Sequence, residues 1–331
     1  MKIVTIENID SQKWQQLVEI SPNCSFFQSK ACYDIYCNFT FLEPVLLGIE
    51  KENELIALLC GYIVADGGTI KRHFSRRAIF HGGPLLHPAC KPEGIQLLLS
   101  QLRNTLNKKA IYIEIRNYSD YSNYKETFQS EGFSYQPHNN FKLNTNCTEK
   151  EALNNLGDEK RRQLRQSIQA GIYWEQAQNT TEVYQFYSIL ETLYKKKIKR
   201  PLFHYTFFEK LWQSSGGKII LVKDNTGILG GIVVVHDKQT VYEWYICANE
   251  TKRKGIYPSV VATWAGIQYA VVNKFSYFDF MGAGQPDKKS GIRDFKARFG
   301  AKLVEHGRFL YICNQVLYMI SKSYIALIKR H

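Results

Sequence analysis

An internal repeat constrains this chain more than any other feature. Residues 52–65 carry strand-like apolar runs, Leu55-Ile56-Ala57-Leu58-Leu59 and Tyr62-Ile63-Val64. A helical pattern follows at 92–108, with Ile95, Leu98, Leu99, Leu102 and Leu106 three and four apart, and Pro92 and Glu93 suit its first turn. Residues 111–115 then alternate as a strand. The second half repeats this order. Strands are expected at 219–222 and 228–235 around a turn at 224–227, then at 241–247. A helix at 259–273 places Val260, Val261, Trp264, Ile267 and Ala270 on one side, and a strand at 277–280 follows. The last strands of the two series lie about 165 residues apart. Self-similarity at this length means a duplicated domain, not a solenoid. The expected fold is therefore α/β (α+β): two tandem domains, 1–150 and 151–331, each a mixed, mostly antiparallel sheet flanked by helices.

Helices are also expected through the polar stretch 159–168, closed by Gly171, and at 183–197, with Tyr184, Tyr187, Leu190, Leu193 and Tyr194. The tail 315–328 shows Val316, Leu317, Ile320, Tyr324 and Leu327 beside Lys322, Lys329 and Arg330. It reads as a terminal helix docked on the second domain or as an amphipathic helix for a membrane surface.

Composition narrows the partner. Of 331 residues, 44% are hydrophobic and 22% charged, which excludes a disordered chain, a collagen and a disulfide miniprotein. Forty-three Lys and Arg face 30 Asp and Glu, a net charge of +13. Residues 1–150 hold 16 basic and 15 acidic residues, so the excess lies in the second half, with 27 against 15. An anionic partner is implied: nucleic acid, a phosphorylated precursor or a membrane surface. The eight cysteines form no C-x-x-C and no zinc spacing, and Cys60, Cys247 and Cys313 sit in apolar runs, so reduced structural cysteines are expected and no metal. Glu7 and Asp10 come too early for a signal peptide, and no run of about 18 apolar residues exists. A soluble cytoplasmic protein follows as the expectation. Neither H-E-x-x-H nor G-x-S-x-G occurs.

The strongest local feature spans 278–308. It runs Phe278-Asp279-Phe280-Met281-Gly282, then a Gly-Pro loop, then Gly291-Ile292-Arg293-Asp294-Phe295-Lys296-Ala297-Arg298-Phe299-Gly300, then Glu305-His306-Gly307-Arg308. Phe295 and Phe299 fall on one helix face, and Arg293 and Lys296 share a neighbouring one. Two cations beside a strand end suit a phosphate or a developing oxyanion. A solvated helix anchored by its phenylalanines has the same spacing. Gly282-Ala283-Gly284 is no dinucleotide fingerprint, because Pro286 and Asp287 follow it.

This ending resembles that of the Fem-type peptidoglycan bridge aminoacyltransferases, within the broader GNAT-like acyltransferase superfamily. Tyr242-Glu243-Trp244-Tyr245 and Tyr257-Pro258-Ser259 precede it as they do in that family. Phe26-Phe27-Gln28-Ser29, the Gly82-Gly83-Pro84 segment and Arg161-Arg162-Gln163-Leu164-Arg165 with Ala170-Gly171 resemble further family segments. The resemblance implies two GNAT-like domains and an N-acyl transfer, from aminoacyl-tRNA to an amine on a cell-wall precursor. It puts Lys296 at the reacting centre as a charge stabiliser and Asp279 beside it, orienting the amine or bracing Lys296. Glu243 falls where GNAT enzymes often carry a general base, with Tyr245 expected on the same strand face. Arg200 matches an arginine that meets a phosphate of the acceptor. Arg293 and Phe295 complete the block.

Two departures matter. The family's Trp and Lys after "FFQS", which serve the acceptor phosphate, are absent from Ala31-Cys32-Tyr33-Asp34-Ile35-Tyr36. The loop that would cradle the CoA pyrophosphate reads Lys252-Arg253-Lys254-Gly255-Ile256-Tyr257, and Tyr257 replaces its last small residue. Lys252, Arg253 and Lys254 suit an RNA backbone instead, or plain solvent. Three functions stay open: a Fem-like aminoacyltransferase, an acyl-CoA-dependent N-acyltransferase, and a basic module that binds RNA or membrane without catalysis. None needs a bound cofactor, since aminoacyl-tRNA or acyl-CoA enters as co-substrate. Peripheral membrane contact at the inner face is an added expectation, and the sequence leaves the oligomeric state open.

Overall fold

Two apolar antiparallel hairpins seed two sheets in the computed structural model, which describes residues 1–68, 72–249 and 253–328, the side chains of 324–328 excepted. Lys252, Lys329 and Arg330, and the side chains of Tyr324 and Leu327, lie outside that description. The strands, in chain order, are β1 (Lys2–Thr5), β2 (Leu42–Lys51), β3 (Glu54–Val64), β4 (Arg77–Gly82), β5 (Leu85–Leu86), β6 (Tyr112–Asn117), β7 (Ser134–Gln136), β8 (Asn139–Asn144), β9 (Tyr173–Gln176), β10 (Gly217–Asp224), β11 (Gly227–His236), β12 (Thr240–Ala248), β13 (Tyr277–Gly282), β14 (Lys302–Glu305) and β15 (Arg308–Ile312). The helices are α1 (Ser11–Ile20), α2 (Lys30–Cys37), α3 (Pro92–Leu106), α4 (Lys125–Ser130), α5 (Glu149–Asn154), α6 (Asp158–Gln169), α7 (Thr180–Leu193), α8 (Tyr205–Gln213), α9 (Pro258–Val272), α10 (Gly291–Ala297) and α11 (Gln315–Ile328).

The first sheet runs β1-β2-β3-β4-β6-β15-β7, with β5 against β3; the second runs β14-β8-β13-β12-β11-β10-β9. Both are mixed, as expected, and each contains a parallel pair beside antiparallel ones, β4 with β6 and β12 with β13. A helix links each parallel pair, as a parallel crossover requires. Both helices start with proline at the first position, where no intrahelical N–H is needed. The amphipathic α3 buries Ile95, Leu98, Leu99, Leu102 and Leu106 against β2 and β3. Helix α9 is buried on nearly every side and lies close to its sheet. A Cβ at its Gly266 would stand 2.8 Å from Ile232 and 3.0 Å from Phe278.

The duplication is present, but the domain boundary differs from a cut at 150. One unit is Met1–Pro137 with Glu305–His331, and the other is His138–Val304. The cause is an exchange of strands. After β6, α4 and β7, the chain enters the second sheet as β8, beside β13. After β13, α10 and β14, it returns to the first sheet as β15, between β6 and β7. Each copy thus gives its last strand to the other sheet. Helix α11 follows β15 and packs on the first unit, not the second as expected from its position in the chain. Tyr318 meets Tyr112 with ring centroids 5.6 Å apart, and the Ser321 hydroxyl donates to the Phe74 carbonyl.

The "FFQS" and "GGP" segments meet inside the first unit. Gln28, fully buried, donates from Nε2 to the carbonyls of Gly82 (3.2 Å) and Gly83 (2.8 Å). Gly82 needs to be glycine: its φ is +88°, and a Cβ would stand 2.5 Å from the Ser25 hydroxyl. These motifs latch the end of β4. None of the eight cysteines is in a disulfide, and Cys32, Cys60, Cys90 and Cys247 are buried.

Phe309 of the exchanged strand stacks on Phe128 at 3.8 Å, and both are fully buried. Phe309→Ala is expected to cost about 3–5 kcal/mol. Hydrogen exchange should quicken in 112–117 and 134–136, the strands on either side of β15, while β10 to β12 keep their protection.

Candidate active site

Strands β12 and β13 pair over only three positions, Thr240 with Tyr277, Val241 with Phe278 and Tyr242 with Asp279. Beyond that level they part. Two irregularities mark the place: a bulge between Val233 and Val234 of β11 against β12, and a register shift between Asp279 and Gly282 of β13 against β8. Met281, at φ +54°, lies within the second. The first copy shows no such opening, since β4 and β6 pair over six positions.

Lys296 reaches this opening from α10. Its residue is buried, and its Nζ donates to the carbonyls of Phe280 and of Gly282 (3.4 Å). The same ammonium stands 3.2 Å from Glu243 Oε1. The two β13 carbonyls thus gain a cation as their partner. Burial raises the Glu243 carboxyl above its ordinary range, and the nearby Lys296 charge opposes that rise. Its Oε2 is buried without a hydrogen-bond partner.

Asp279 lies on β13 just before the parting. Its Oδ1 accepts from the Met281 backbone N–H at 2.6 Å and from Asn140 Nδ2 at 3.3 Å, while its buried Oδ2 has no hydrogen-bond partner. Burial pushes its carboxyl up to about 6; the Met281 N–H, Lys142 and Lys296 pull it down, and Glu243 pushes it further up. Two buried carboxylates with an open oxygen each can accept a proton, and the ammonium between strand carbonyls and Glu243 is a positive charge for a developing oxyanion.

The structure brings Lys296 and Glu243 into contact and leaves Asp279 within electrostatic reach of both, and it assigns other partners to several expected site residues. Arg293 does not join Lys296 as a clamp: it donates to the carbonyls of Ala283 (3.4 Å), Pro286 (3.0 Å) and Gln285, pinning the 283–286 loop. Phe295 packs on Phe299 at 5.1 Å under the Lys160 ammonium, as a helix anchor. Arg253 pairs with the buried Asp224, whose carboxyl is held down by the Thr226 hydroxyl first and then by this guanidinium. Tyr257 caps α9 and its N–H donates to Ser167 Oγ at 2.9 Å.

Tyr245 does not share a strand face with Glu243. The bulge makes Glu243 level with Val234 and Tyr245 level with the adjacent Val233, so the two side chains alternate. Tyr245 instead belongs to an aromatic group with Phe208 (5.0 Å), Trp244 (5.7 Å) and Tyr194 (6.2 Å). The helix expected through 197 changes character at Leu193: a π-turn covers Tyr194–Ile198 and ends on Lys199 at φ +50°. Arg200 follows, exposed, and its charge reaches Tyr194. Asn140 was not expected in the site. It arrives on the exchanged strand β8, and nothing local in its sequence marks it.

Among the described residues, no group of three or more His, Cys, Asp or Glu side chains is placed to hold a metal ion, and no helix is long and apolar enough to cross a membrane. Redrawn along the structural units, 138–304 still holds 25 basic against 15 acidic residues.

Residues 157–289 match a family model described as an acetyltransferase (GNAT) domain, a span that includes Glu243 and Asp279 and stops before Lys296. No curated protein matches the sequence. Among solved structures, FemX is similar over 97% of this chain and 99% of its own, with a TM-score of 0.73 at 15% identity. A tandem GNAT protein from the clavulanic acid biosynthesis pathway covers 95% and 98% at 0.59 and 10% identity. L-PGS from Bacillus licheniformis covers 95% and 96% at 0.57 and 14% identity. At such identities the likeness carries the fold. The GNAT domain match over 157–289 makes this chain an acyltransferase, and the likeness gives its fold as two GNAT-like copies.

Proposed function

We propose that the protein is a Fem-like N-acyltransferase that moves an aminoacyl group from aminoacyl-tRNA to an amine on a phosphorylated cell-envelope precursor. The observation that carries this reading is the Lys296 ammonium held where β12 and β13 part, by Glu243 and two strand carbonyls. In the transfer, the amine nitrogen bonds to the ester carbonyl carbon and the carbonyl–oxygen ester bond breaks. The proton lost by the amine ends on the departing ribose oxygen. The work required is positioning, a proton route and charge compensation. Lys296 compensates the negative charge that grows on the carbonyl oxygen. Glu243 holds Lys296 in place. Asp279, with its open Oδ2 and its carboxyl near neutrality, takes the amine's proton and returns it to the leaving group.

Three features support tRNA over CoA as donor. The Lys296 side chain occupies the strand opening, Tyr257 stands at the end of the expected pyrophosphate loop, and the basic excess lies in the same unit. Exposed Lys196 and Arg200 add a basic rim beyond the Tyr194–Tyr245 pair. A cytoplasmic place at the inner face of the membrane fits the exposed Val316, Met319 and Ile320 of α11. The acyl-CoA reading keeps one observation in its favour: Gly255, at φ +83° with open space around it, precedes α9 as a phosphate-binding turn would.

Charged tRNA is expected to bind at low salt with an affinity that falls steeply as salt rises. Lys296→Ala should lower transfer by about 10²–10³-fold, the loss typical of one oxyanion donor. Thermal stabilisation by acyl-CoA with no tRNA affinity would replace this reading with the CoA one. Unchanged function in Lys296→Ala and Asp279→Asn would leave only a binding module.

Asp279 also links activity to pH and stability. Its carboxyl titrates near 6 in the fold and at 3.8 when unperturbed, so the fold disfavours its ionised form. Stability is therefore lost as pH rises from about 4 to 6, while the proton acceptor appears over the same range. Asp279→Asn keeps an acceptor for the Met281 N–H. It should stabilise the protein by about 2–3 kcal/mol above pH 6, fading towards pH 4, in urea titrations. It should also remove the rise of kcat/KM through pH 6.

A further inference from the structure

The exchanged strand β8 brings a charge to the second copy that the transfer steps above leave unused. Lys142 of β8 pairs directly with Asp279 of β13 in the antiparallel register. Residues opposite one another in such a pair point to the same face of the sheet, with Cβ atoms about 4.5–5.5 Å apart. Side chains alternate along a strand, so Tyr277 shares this face with Asp279, and Asn140 shares it with Lys142. The bond from Asn140 to Asp279 Oδ1 joins the two strands on that face.

The Lys142 ammonium lies 4.2 Å from the centre of the Tyr277 ring. An aromatic face attracts a cation without neutralising it. The ring therefore keeps the ammonium on the Asp279 face with its charge intact. Lys142 is half-buried and has no ion-pair partner among the described residues, whereas Asp279 is fully buried.

The titratable groups around Asp279 come from every strand and helix beside it. Strand β12 gives Tyr242, level with Asp279 in the parallel register, and Glu243. Helix α10 gives Lys296, β13 gives Tyr277, and β8 gives Lys142. Tyr242 is turned to Asp237, to which its hydroxyl donates at 2.9 Å. The Lys296 charge is already met by Glu243. Burial raises the Asp279 carboxyl first; the Met281 N–H, then Lys142, then Lys296 draw it down.

The first copy has no such charge at the equivalent position. Tyr112 and Tyr277 each open the inner strand of the parallel pair, so Glu114 stands where Asp279 stands. Ile79 pairs with Glu114 as Tyr242 pairs with Asp279, which sets Phe80 at the position of Glu243. Phe128 lies four residues before Gly132 (φ +80°), as Lys296 lies four before Gly300 (φ +78°). Opposite Glu114 on the exchanged strand β15 stands Leu310, and Glu114 is bonded to Arg116 and Arg308 instead. The lysine opposite the carboxylate thus occurs in the copy that carries the Lys296–Glu243 pair.

We propose that Lys142 is a positioning residue that acts through Asp279, its charge setting the pH at which that carboxylate is ready to take a proton. The use of the proton rests on the transfer reading; the pairing of Lys142 with Asp279 does not.

The test is a pH titration of the full chain, isotope-labelled at the aspartate carboxyls and followed by NMR. The Asp279 signal is the one missing from Asp279→Asn. Lys142→Met keeps the stem and removes the charge. It should raise the Asp279 midpoint by at least about half a pH unit, about a threefold gain in proton affinity. Lys142→Arg keeps the charge and should leave the midpoint in place. A midpoint that loss of the charge does not move overturns the proposal. So does a shift that Lys142→Arg shares, since the charge would not be its cause. A merely structural lysine would alter the melting temperature alone. If Lys142→Met does not fold, Lys142→Gln decides in its place. No donor or acceptor enters the titration, so its result stands if the transfer reading fails. In a transfer assay the rise of kcat/KM should follow the carboxyl midpoint. A rise that stays in place while the midpoint moves counts against Asp279 as the proton acceptor, not against its pairing with Lys142.

Discussion

A buried ammonium sets the geometry of the second copy. Taking Lys296 out of water costs several kcal/mol. Glu243 and two β13 carbonyls offset that cost, and those carbonyls are available only because β12 and β13 stop pairing after Asp279. Opening and lysine depend on one another. Strands that stayed paired would leave the ammonium without acceptors, and an opening without the lysine would leave strand carbonyls unsatisfied. Glu243 has the matching dependence, since a buried carboxylate without its cation is strongly destabilising. The α10 helix must then be fixed to within a fraction of an ångström. Arg293 on the loop carbonyls, Phe299 in the core and Gly300 at φ +78° against the Asn155 carbonyl do this work.

The exchange of strands extends that dependence across the chain. Asn140 reaches Asp279 only because β8 left the first series of strands for the second sheet. Arg308 reaches Glu114 only because β15 came back. Each copy's polar cluster is finished by a residue from the far end of the other copy's sequence. The second cluster lies within the continuous stretch 138–304, whereas the first joins Glu114 to Arg308 from the far end of the chain, so the first copy needs the strand that follows the second.

Much of this was legible in the sequence. The 3–4 spacing of Leu98, Leu99, Leu102 and Leu106, and the prolines at 92 and 258, mark α3 and α9, and their recurrence marks the duplication. Lys296 and Asp279 were marked by the resemblance of the 278–308 block, since spacing alone fits a solvated helix as well. The strand exchange was not legible. Ser134–Gln136 and Asn139–Asn144 are short runs divided only by Pro137-His138, and alternation says which face is buried but not which sheet is joined. The β12 bulge was hidden for a related reason. Glu243 and Tyr245 keep the two-residue spacing of a shared face, and only the partner strand shows that Trp244 breaks it. Arg293 and Arg253 looked like free cations, since no pattern of charges reveals a carbonyl or an Asp224 that folding brings to them.

The two copies also show how one architecture supports unlike chemistry. At the level where β12 and β13 part, β4 and β6 continue pairing, with Phe80 and Phe128 buried in the positions of Glu243 and Lys296. An apolar pair there needs no acceptors, so the ladder closes over six positions and the first copy gains stability from the same place that costs the second. A raised carboxyl at Asp279 and a buried ion pair are local losses of stability, and such losses persist where activity requires them. The closed copy bears no such cost. Its face retains the polar alternation of the duplicated strand, with Glu114 in the place of Asp279 bonded to Arg116 and Arg308.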